Sequence, residues 1–328
     1  MTNKLDLFIL ISLKIIFCYL AYQIFTNTLG LAIFEYPDMD AYKDCIETDG
    51  IESIMVNVLY SQFLCSIGMN YEDALSEISL IVIACVINLI SICLFYIIFK
   101  DFLTRNGQIF FILLLAFHPY MAIYFPRFYT DIFGSLGILL ICYYSVQNIK
   151  INYIFVISAL ILINFRASLM PPLFLFIAYN FFIEYKKENR FNLLMFFTMC
   201  AIGINFLLYK SFADMMILTV TNFYSNKIYN IVFLLGFREA IANEGFSIFL
   251  NGSLFGYVQL FISLFLLLMH SIGIFSMAKF AINNKFYGIM ASLAIIIVPL
   301  ITISHMRYLL PLIPLIMFGF SWYFFRKE

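Results

Sequence analysis

The sequence predicts an all-α, polytopic integral membrane protein that forms a single domain over residues 1–328. Of its residues, 64% are hydrophobic and only 12% are charged, a balance that suits contact with lipid rather than with water. Apolar runs of roughly 20 residues, the length that crosses a bilayer as a helix, recur along the chain. The formal net charge is zero, so no overall basic field favours binding of nucleic acid.

These runs predict about ten transmembrane helices, two of them short. Lys14 interrupts the first run and no small-residue cleavage site follows it, so we expect a retained helix rather than a signal peptide. The predicted spans are 6–27, 79–99, 108–125, 131–147, 153–165, 171–185, 192–211, 257–278, 288–304 and 308–325.

Lysine and arginine in the connections predict the orientation, because short cytoplasmic loops carry an excess of these residues. The even-numbered connections and both ends of the chain are basic, through Lys4, Lys100, Arg105, Lys150, Lys186, Lys187, Arg190, Lys279, Lys285, Arg326 and Lys327. We therefore expect both termini in the cytoplasm and two long external loops, over 28–78 and 212–256. Apolar stretches broken by polar residues in both loops favour helices that lie in the outer interface.

Negative charge gathers in the first external loop, just beyond the first predicted span. The segment FEYPDMDAYKDC (34–45) places Asp38 and Asp40 near the expected headgroup boundary. The later acids of this loop fit a solvated external segment, whereas carboxylates at the boundary are candidates for a specific function. Asp38 and Asp40 are therefore candidate functional residues.

Positive charge at the external ends of helices is the second unusual feature. Arg127 lies in YFPRFYTD, Arg166 in INFRASLMPP, and His305 and Arg307 lie in ISHMRYLLP. A charge there is costly without a partner, which leaves open snorkelling to lipid, an ion pair such as Arg127 with Asp131, or ligand binding. Because the guanidinium fork suits phosphate bidentately, the four basic residues are candidate ligands of a membrane-embedded phosphate.

Asp131 begins the predicted fourth helix, where the helix dipole favours a carboxylate. His118 is expected to be buried and hydrogen-bonded, His270 to pack or to form an internal hydrogen bond, and Lys14 is assigned no function. The seven cysteines show no metal-ligand spacing.

Four segments resemble, in order, motifs of the GT-C class of membrane glycosyltransferases. Asp38-Met39-Asp40 resembles the acidic motif of that class's first external loop, and LLLAFHPYMAIYFPRFYTDIFGSL resembles its third and fourth helices, with an acid at Asp131. NFRASLMPP is similar to a later segment in which an arginine precedes a hydroxyl residue, here Arg166 and Ser168. SHMRYLLPLIP is similar to a late His-x-Arg-Tyr segment.

The resemblance implies an enzyme that transfers a sugar, with inversion, from a polyprenyl-phosphate-linked donor to a glycan or to a lipid-linked acceptor. The reaction is expected at the periplasmic face of a bacterial inner membrane, in the synthesis of a polysaccharide such as the O-antigen of lipopolysaccharide. Asp38 or Asp40 is then the catalytic base, and the four basic residues bind the donor phosphate. Asp131 orients the acceptor or binds a divalent cation such as Mg²⁺ or Mn²⁺ together with Asp38. The chain has fewer predicted helices than many members, which leaves the acceptor unconstrained.

Two other functions fit part of the pattern. An O-antigen polymerase also acts on polyprenyl-diphosphate-linked units at the external face and uses external arginines, but those usually lie within large loops rather than at helix ends. A transporter or flippase of lipid-linked saccharides is expected to show internal repeats and interrupted, polar helices at mid-membrane. Neither feature is clear in the sequence.

Overall fold

The computed structural model describes residues 2–23, 74–125, 130–188, 191–217, 254–296 and 306–327. Within these ranges every regular element is a helix, apart from one isolated β-bridge between Leu103 and Arg326. The all-α fold class is therefore confirmed. Most of the two predicted external loops, with the interfacial helices expected there, lies outside the described residues.

Each predicted span contains a helix within the described residues. In chain order they are α1 (Thr2–Gln23), α2 (Ala74–Phe99), α3 (Arg105–Phe117), α4 (Pro119–Tyr124), α5 (Asp131–Val146), α6 (Tyr153–Phe165), α7 (Met170–Glu188), α8 (Leu193–Ile217), α9 (Leu254–Asn283), α10 (Tyr287–Ser292) and α11 (Ile313–Phe325). Short 3-10 segments lie at Lys100–Phe102, Ala167–Leu169, Leu293–Ile296 and Met306–Leu312.

Three helical stretches are long and apolar enough to cross a membrane: Ser79–Phe102, Ala167–Lys187 and Phe261–Asn283. Six shorter apolar helices of 10–17 residues accompany them in the described parts of the chain. Large apolar side chains are exposed on the long stretches, among them Phe261 and Phe275 at 72% and 71%. Such surfaces indicate association with lipid. The count of ten crossings stays a prediction.

The third predicted span is two helices, not one. His118, between α3 and α4, has extended backbone angles (φ −63°, ψ 118°), and its Nδ1 accepts a hydrogen bond from the Met121 N–H at 3.4 Å. The residue before a proline is disfavoured in the helical region, and Pro119 is well suited to start the next helix. His118 is buried as predicted, and its Nε2 lies 3.0 Å from that of His270, which is also buried.

Lys14 compensates for this helix break. Pro119 has no N–H to donate to the carbonyl of Leu115, its partner in a continuous helix. Instead the Lys14 Nζ of α1 donates to the carbonyl oxygens of Leu115 and Ala116, at 3.2 and 3.3 Å. The lysine is fully buried, so a residue without an assigned function in the sequence fastens α1 to the interrupted helix.

The N- and C-terminal ends of the described chain meet at the basic turn between α2 and α3. Arg105 donates two hydrogen bonds to the carboxylate of Asp6 in α1, at 2.6 and 2.7 Å. Lys327 donates to the backbone carbonyl of Asp101 at 2.8 Å. The hydrogen bonds with Asp6 raise the pKa of Arg105. Arg105 therefore holds helices together, whereas the sequence suggested only a marker of orientation.

The other basic connections reach the same end of the bundle. The ring of Phe102, beside Arg105, lies 5.8 Å from that of Phe286 in the turn between α9 and α10. That turn also lines a cavity of about 210 Å³, together with the connection after α5 and the end of α7. We call it the basic cavity, because Lys150, Lys187 and Lys285 all line it.

Candidate functional site

Asp131 and Arg166 form an ion pair at the end of the bundle that lies away from the basic cavity. Asp131 begins α5, whose 16 residues end near the basic cavity, a length of about 24 Å. Arg166 directly follows α6, and its Nη2 lies 2.8 Å from the Asp131 Oδ1. The two residues are only 5% and 4% exposed. Charges at such depth need a partner, and here each supplies one for the other.

Two buried hydroxyl groups complete the surroundings of the guanidinium. The Arg166 Nη1 donates to the Thr130 Oγ1 at 2.8 Å, and its Nε donates to the Ser168 Oγ at 3.1 Å. Arg166 has an extended backbone (φ −146°, ψ 99°) between α6 and the 3-10 segment Ala167–Leu169. This bend brings Ser168 back onto the arginine that precedes it. Three side chains therefore fix the orientation of Arg166.

The segment that carries Arg307 packs beside this ion pair. It forms the 3-10 helix Met306–Leu312 and contacts α5 through Pro311. A Cβ placed on Gly134 would lie 2.7 Å from the Pro311 Cγ and 3.6 Å from the Arg166 Cγ. For Arg307 itself the structure describes the backbone alone. The glycine thus allows the Arg307 segment and Arg166 to approach the same turn of α5.

A small cavity of about 40 Å³ borders Asp131. Its other walls come from α2, the α4 region, α5 and the Arg307 segment, through Asn88, Met121, Tyr124, Phe125, Ser135 and Leu310. Such a volume suits a few water molecules and is too small for a sugar. A substrate that reaches Asp131 therefore needs space beyond this cavity.

Four of the predicted site residues, Asp38, Asp40, Arg127 and His305, lie outside the described residues. Their roles, and the suggested contact of Arg127 with Asp131, stay predictions. The sequence placed Asp131 and Arg166 on the same side of the membrane but did not pair them with each other. Thr130 had no sequence signal beyond its position before a helix-opening acid.

A metal site is not assembled within the described ranges, where no three His, Cys, Asp or Glu side chains gather to hold an ion. The cation predicted between Asp38 and Asp131 involves a residue outside these ranges, so it stays a prediction. Asp131 itself offers carboxylate oxygens, the type of ligand that Mg²⁺ prefers.

The arrangement presents one oriented carboxylate beside a cavity. An aspartate fixed by a guanidinium is suited to accept a hydrogen bond from a hydroxyl group or to bind a cation, because its direction is set before a ligand arrives. Arg166 donates hydrogen bonds to Thr130 and Ser168 and pairs with Asp131. Because these contacts engage its guanidinium, they indicate that Arg166 holds Asp131 in place. Comparisons with protein-family models, curated proteins and solved structures found no match.

Proposed function

We propose that the chain is a membrane glycosyltransferase that uses a polyprenyl-phosphate-linked sugar at the external face of a bacterial inner membrane. The observation that carries this proposal is the buried pair of Asp131 and Arg166 beside the segment of Arg307. Three of the four segments that resemble the GT-C class thus adjoin in space, although they are distant in the sequence. Residues that merely snorkel to lipid have no reason to converge in this way.

The proposed topology places all ten predicted spans in the membrane, with α3 and α4 sharing one span and both termini in the cytoplasm. The gathering of the basic connections at one end of the bundle supports a common cytoplasmic side. Asp131 and Arg166 then lie on the external side, together with the loops over 28–78 and 212–256. Short helices fit this topology because some of them are covered by neighbouring helices.

The proposed reaction joins an acceptor oxygen to the anomeric carbon of the donor sugar. The bond from that carbon to the phosphate oxygen breaks, and its electron pair stays on the phosphate. A base removes the proton of the acceptor hydroxyl as the new bond forms. Attack from the face opposite the phosphate inverts the anomeric centre.

The chain's residues divide between these tasks. Asp38 or Asp40 is the proposed base, and the basic residues Arg127, His305 and Arg307 are the proposed ligands of the leaving phosphate, where positive charge lowers the barrier. The sequence predicts Arg166 as a phosphate ligand, but its contacts with Thr130, Ser168 and Asp131 favour a positioning role. Asp131, held by this arginine, then orients the acceptor or binds a divalent cation.

A transporter of lipid-linked saccharides is the second candidate. Interrupted helices with polar groups inside the membrane are typical of transporters. The break between α3 and α4 has this character, because Lys14, His118 and His270 are buried around it. The same contacts also suit a purely structural repair of the break, so we place the transporter second.

Product analysis distinguishes the candidates. The full-length chain is reconstituted in liposomes with a radiolabelled polyprenyl-phosphate sugar and an acceptor-lipid mixture. Addition of single sugars supports the glycosyltransferase, and joining of whole repeat units on a polyprenyl-diphosphate carrier supports the polymerase alternative. Movement of the lipid-linked sugar between leaflets, without a new glycosidic bond, supports the transporter.

A further inference from the structure

The basic cavity is the larger of the two cavities described above, and it lies at the end of the bundle away from Asp131. Its floor consists of buried residues, including Ser145 and Phe176, and its rim carries the exposed lysines Lys150, Lys187 and Lys285. Among the residues that the structure describes, Glu184 is the one acidic residue that lines it. Three lysines and one carboxylate thus lie among the described lining residues of a polar opening.

Tyrosine side chains add hydroxyl groups to this opening. Tyr179 and Tyr287 both line the basic cavity, and their rings lie 4.5 Å apart. Glu184 accepts a hydrogen bond from the Asn192 Nδ2 at 3.0 Å, so one of its carboxylate oxygens already has a partner within the protein. Hydroxyl donors beside lysines suit an anion whose oxygens accept several hydrogen bonds at once.

Lys285 has a backbone conformation that favours glycine, so the presence of a lysine there needs another explanation. Only Lys285 (φ 59°) and Asn148 (φ 50°) have positive φ among the non-glycine residues of the described ranges, and both line the basic cavity. Each lies two residues beyond the end of a helix, at the position after the C-cap that glycine usually occupies. Glycine would adopt this conformation without strain, but it would not supply a charge.

Capping of the helix ends does not require the lysines that follow α5 and α9. After α9, the N–H groups of Lys285 and Phe286 bond to the carbonyls of Ile282 and Ala281, at 3.2 and 2.9 Å. After α5, the N–H of Ile149 bonds to the Tyr144 carbonyl at 3.0 Å. Backbone donors therefore already satisfy these terminal carbonyls, and the ammonium groups are not required for that purpose.

We propose that the basic cavity binds a phosphate group at the cytoplasmic end of the bundle, presented by an anionic lipid or by a soluble phosphate ester. Lysines pair with phosphate as compact point charges, and basic pockets between helices on this side of a membrane suit anionic headgroups. The site is separate from the proposed sugar-transfer site and does not depend on it. It does assume that the basic end of the bundle faces the cytoplasm.

Neighbouring lysines of α7 provide a matched pair of variants. Lys186 and Lys187 are adjacent and exposed, but only Lys187 lines the basic cavity. Lys187→Gln and Lys186→Gln remove the same charge from the same part of the helix. The full-length protein in mild detergent is titrated with dioleoyl phosphatidic acid, and native mass spectrometry measures the affinity of the first bound lipid.

The wild-type protein is expected to bind phosphatidic acid more tightly than phosphatidylcholine. Lys187→Gln and Lys285→Gln should each weaken this binding about fivefold, the effect of one lysine near an anionic headgroup, whereas Lys186→Gln should change it less than about twofold. Equal weakening by Lys186→Gln and Lys187→Gln, or no preference for phosphatidic acid, overturns the proposal.

Two added measurements identify the source of the phosphate and guard against loss of folding. Displacement of the lipid by inorganic phosphate assigns the cavity to a soluble phosphate ester, and retention of the lipid assigns it to a headgroup; both outcomes support a phosphate site. Lys285→Gly should raise the melting temperature, because it relieves a strained backbone, and yet weaken binding about fivefold. Unchanged binding in this stabilised variant contradicts the proposal.

Discussion

The guanidinium of Arg166 and the carboxylate of Asp131 meet at 2.8 Å, and both are buried at one end of the bundle. A second pair, Arg105 with Asp6, lies at the other end, where the arginine side chain is 48% exposed. Each pair joins two helices. Only the first adjoins the Arg307 segment and the small cavity beside Asp131, so the second pair is a control for a purely structural role.

Asp131→Asn should lower sugar transfer by roughly 10²-fold, the effect of losing one oriented polar group at a reaction site. The amide keeps the size of the side chain but has no negative charge with which to bind a cation or to accept a strong hydrogen bond from a hydroxyl group. Asp6→Asn, the matched change at the other end, should cost stability and leave the rate of the folded fraction near that of the wild type. Transfer per folded protein is measured after size-exclusion chromatography. Equal losses in both variants return Asp131 to a structural role.

Arg166→Lys should reduce transfer although it keeps the charge. A lysine lacks the planar fork that reaches Thr130, Ser168 and Asp131 together. If Arg166 acts through Asp131, the two substitutions are not additive. The double variant with Asp131→Asn should then be no more than about threefold slower than Asp131→Asn alone. A double variant whose loss equals the product of the single losses shows that Arg166 acts independently, as a phosphate ligand would.

Asp40→Asn should lower the rate by roughly 10²–10⁴-fold if Asp40 is the general base, because the amide does not accept a proton. Asp38→Asn should match it or fall between it and the wild type. Asp49→Asn, in the same acidic loop but farther from the helix end, should remain near wild type. The length distribution of the cell's surface glycan on a gel is the readout, with expression checked by a C-terminal tag. Normal glycan in both the Asp38→Asn and Asp40→Asn strains would show that neither aspartate is the general base.

Lys14→Met should destabilise the protein by about 1–3 kcal/mol, the usual cost of a buried carbonyl that loses its donor. The loss should shrink in a Pro119→Ala background, because alanine restores the N–H that a continuous helix directs to Leu115. Thermal unfolding in detergent, compared among the two single variants and the double variant, gives the coupling. Additive effects of the two substitutions contradict the link between Lys14 and Pro119.

The positions of the helices follow from apolar run length alone, and for this reason every predicted span contains a helix. Run length alone predicts one helix where the structure has α3 and α4, because the apolar run continues through His118. The break between the two helices is caused by Pro119, which run length does not take into account. Boundaries also moved: α2 begins at Ala74 and α8 reaches Ile217, so both extend by roughly one to two turns into the predicted external loops.

Side-chain pairing was the part that the sequence could not predict. The count of spans places Asp131 and Arg166 on the same side of the membrane, but their contact depends on how α5 and α6 are packed. Asp6 stands at the start of an apolar run, where the sequence indicates no partner for it, and the position of Arg105 in a basic turn indicates orientation alone. The positive-inside pattern accounts for the number of lysines on one side, but it contains no information on which of them surround a cavity.

Gly134→Ala tests whether the Arg307 segment must lie beside Arg166. The added methyl group would meet the ring of Pro311 at 2.7 Å, and a proline ring in a 3-10 segment has little freedom to move aside. We expect the segment to shift and transfer to fall about tenfold or more, since displacement of a ligand group by about 1 Å can cost roughly 10²-fold.

Gly203→Ala, in α8, is the matched control for this substitution. A Cβ at Gly203 meets no atom within 4 Å, and the middle of a helix favours alanine over glycine by about 0.5–1 kcal/mol. This variant should therefore be slightly more stable than the wild type and fully active. The rate of sugar transfer and the melting temperature are measured for both variants. If Gly134→Ala keeps full activity while it lowers the melting temperature, the contact with Pro311 serves packing alone, and the convergence of the three segments no longer supports a common site.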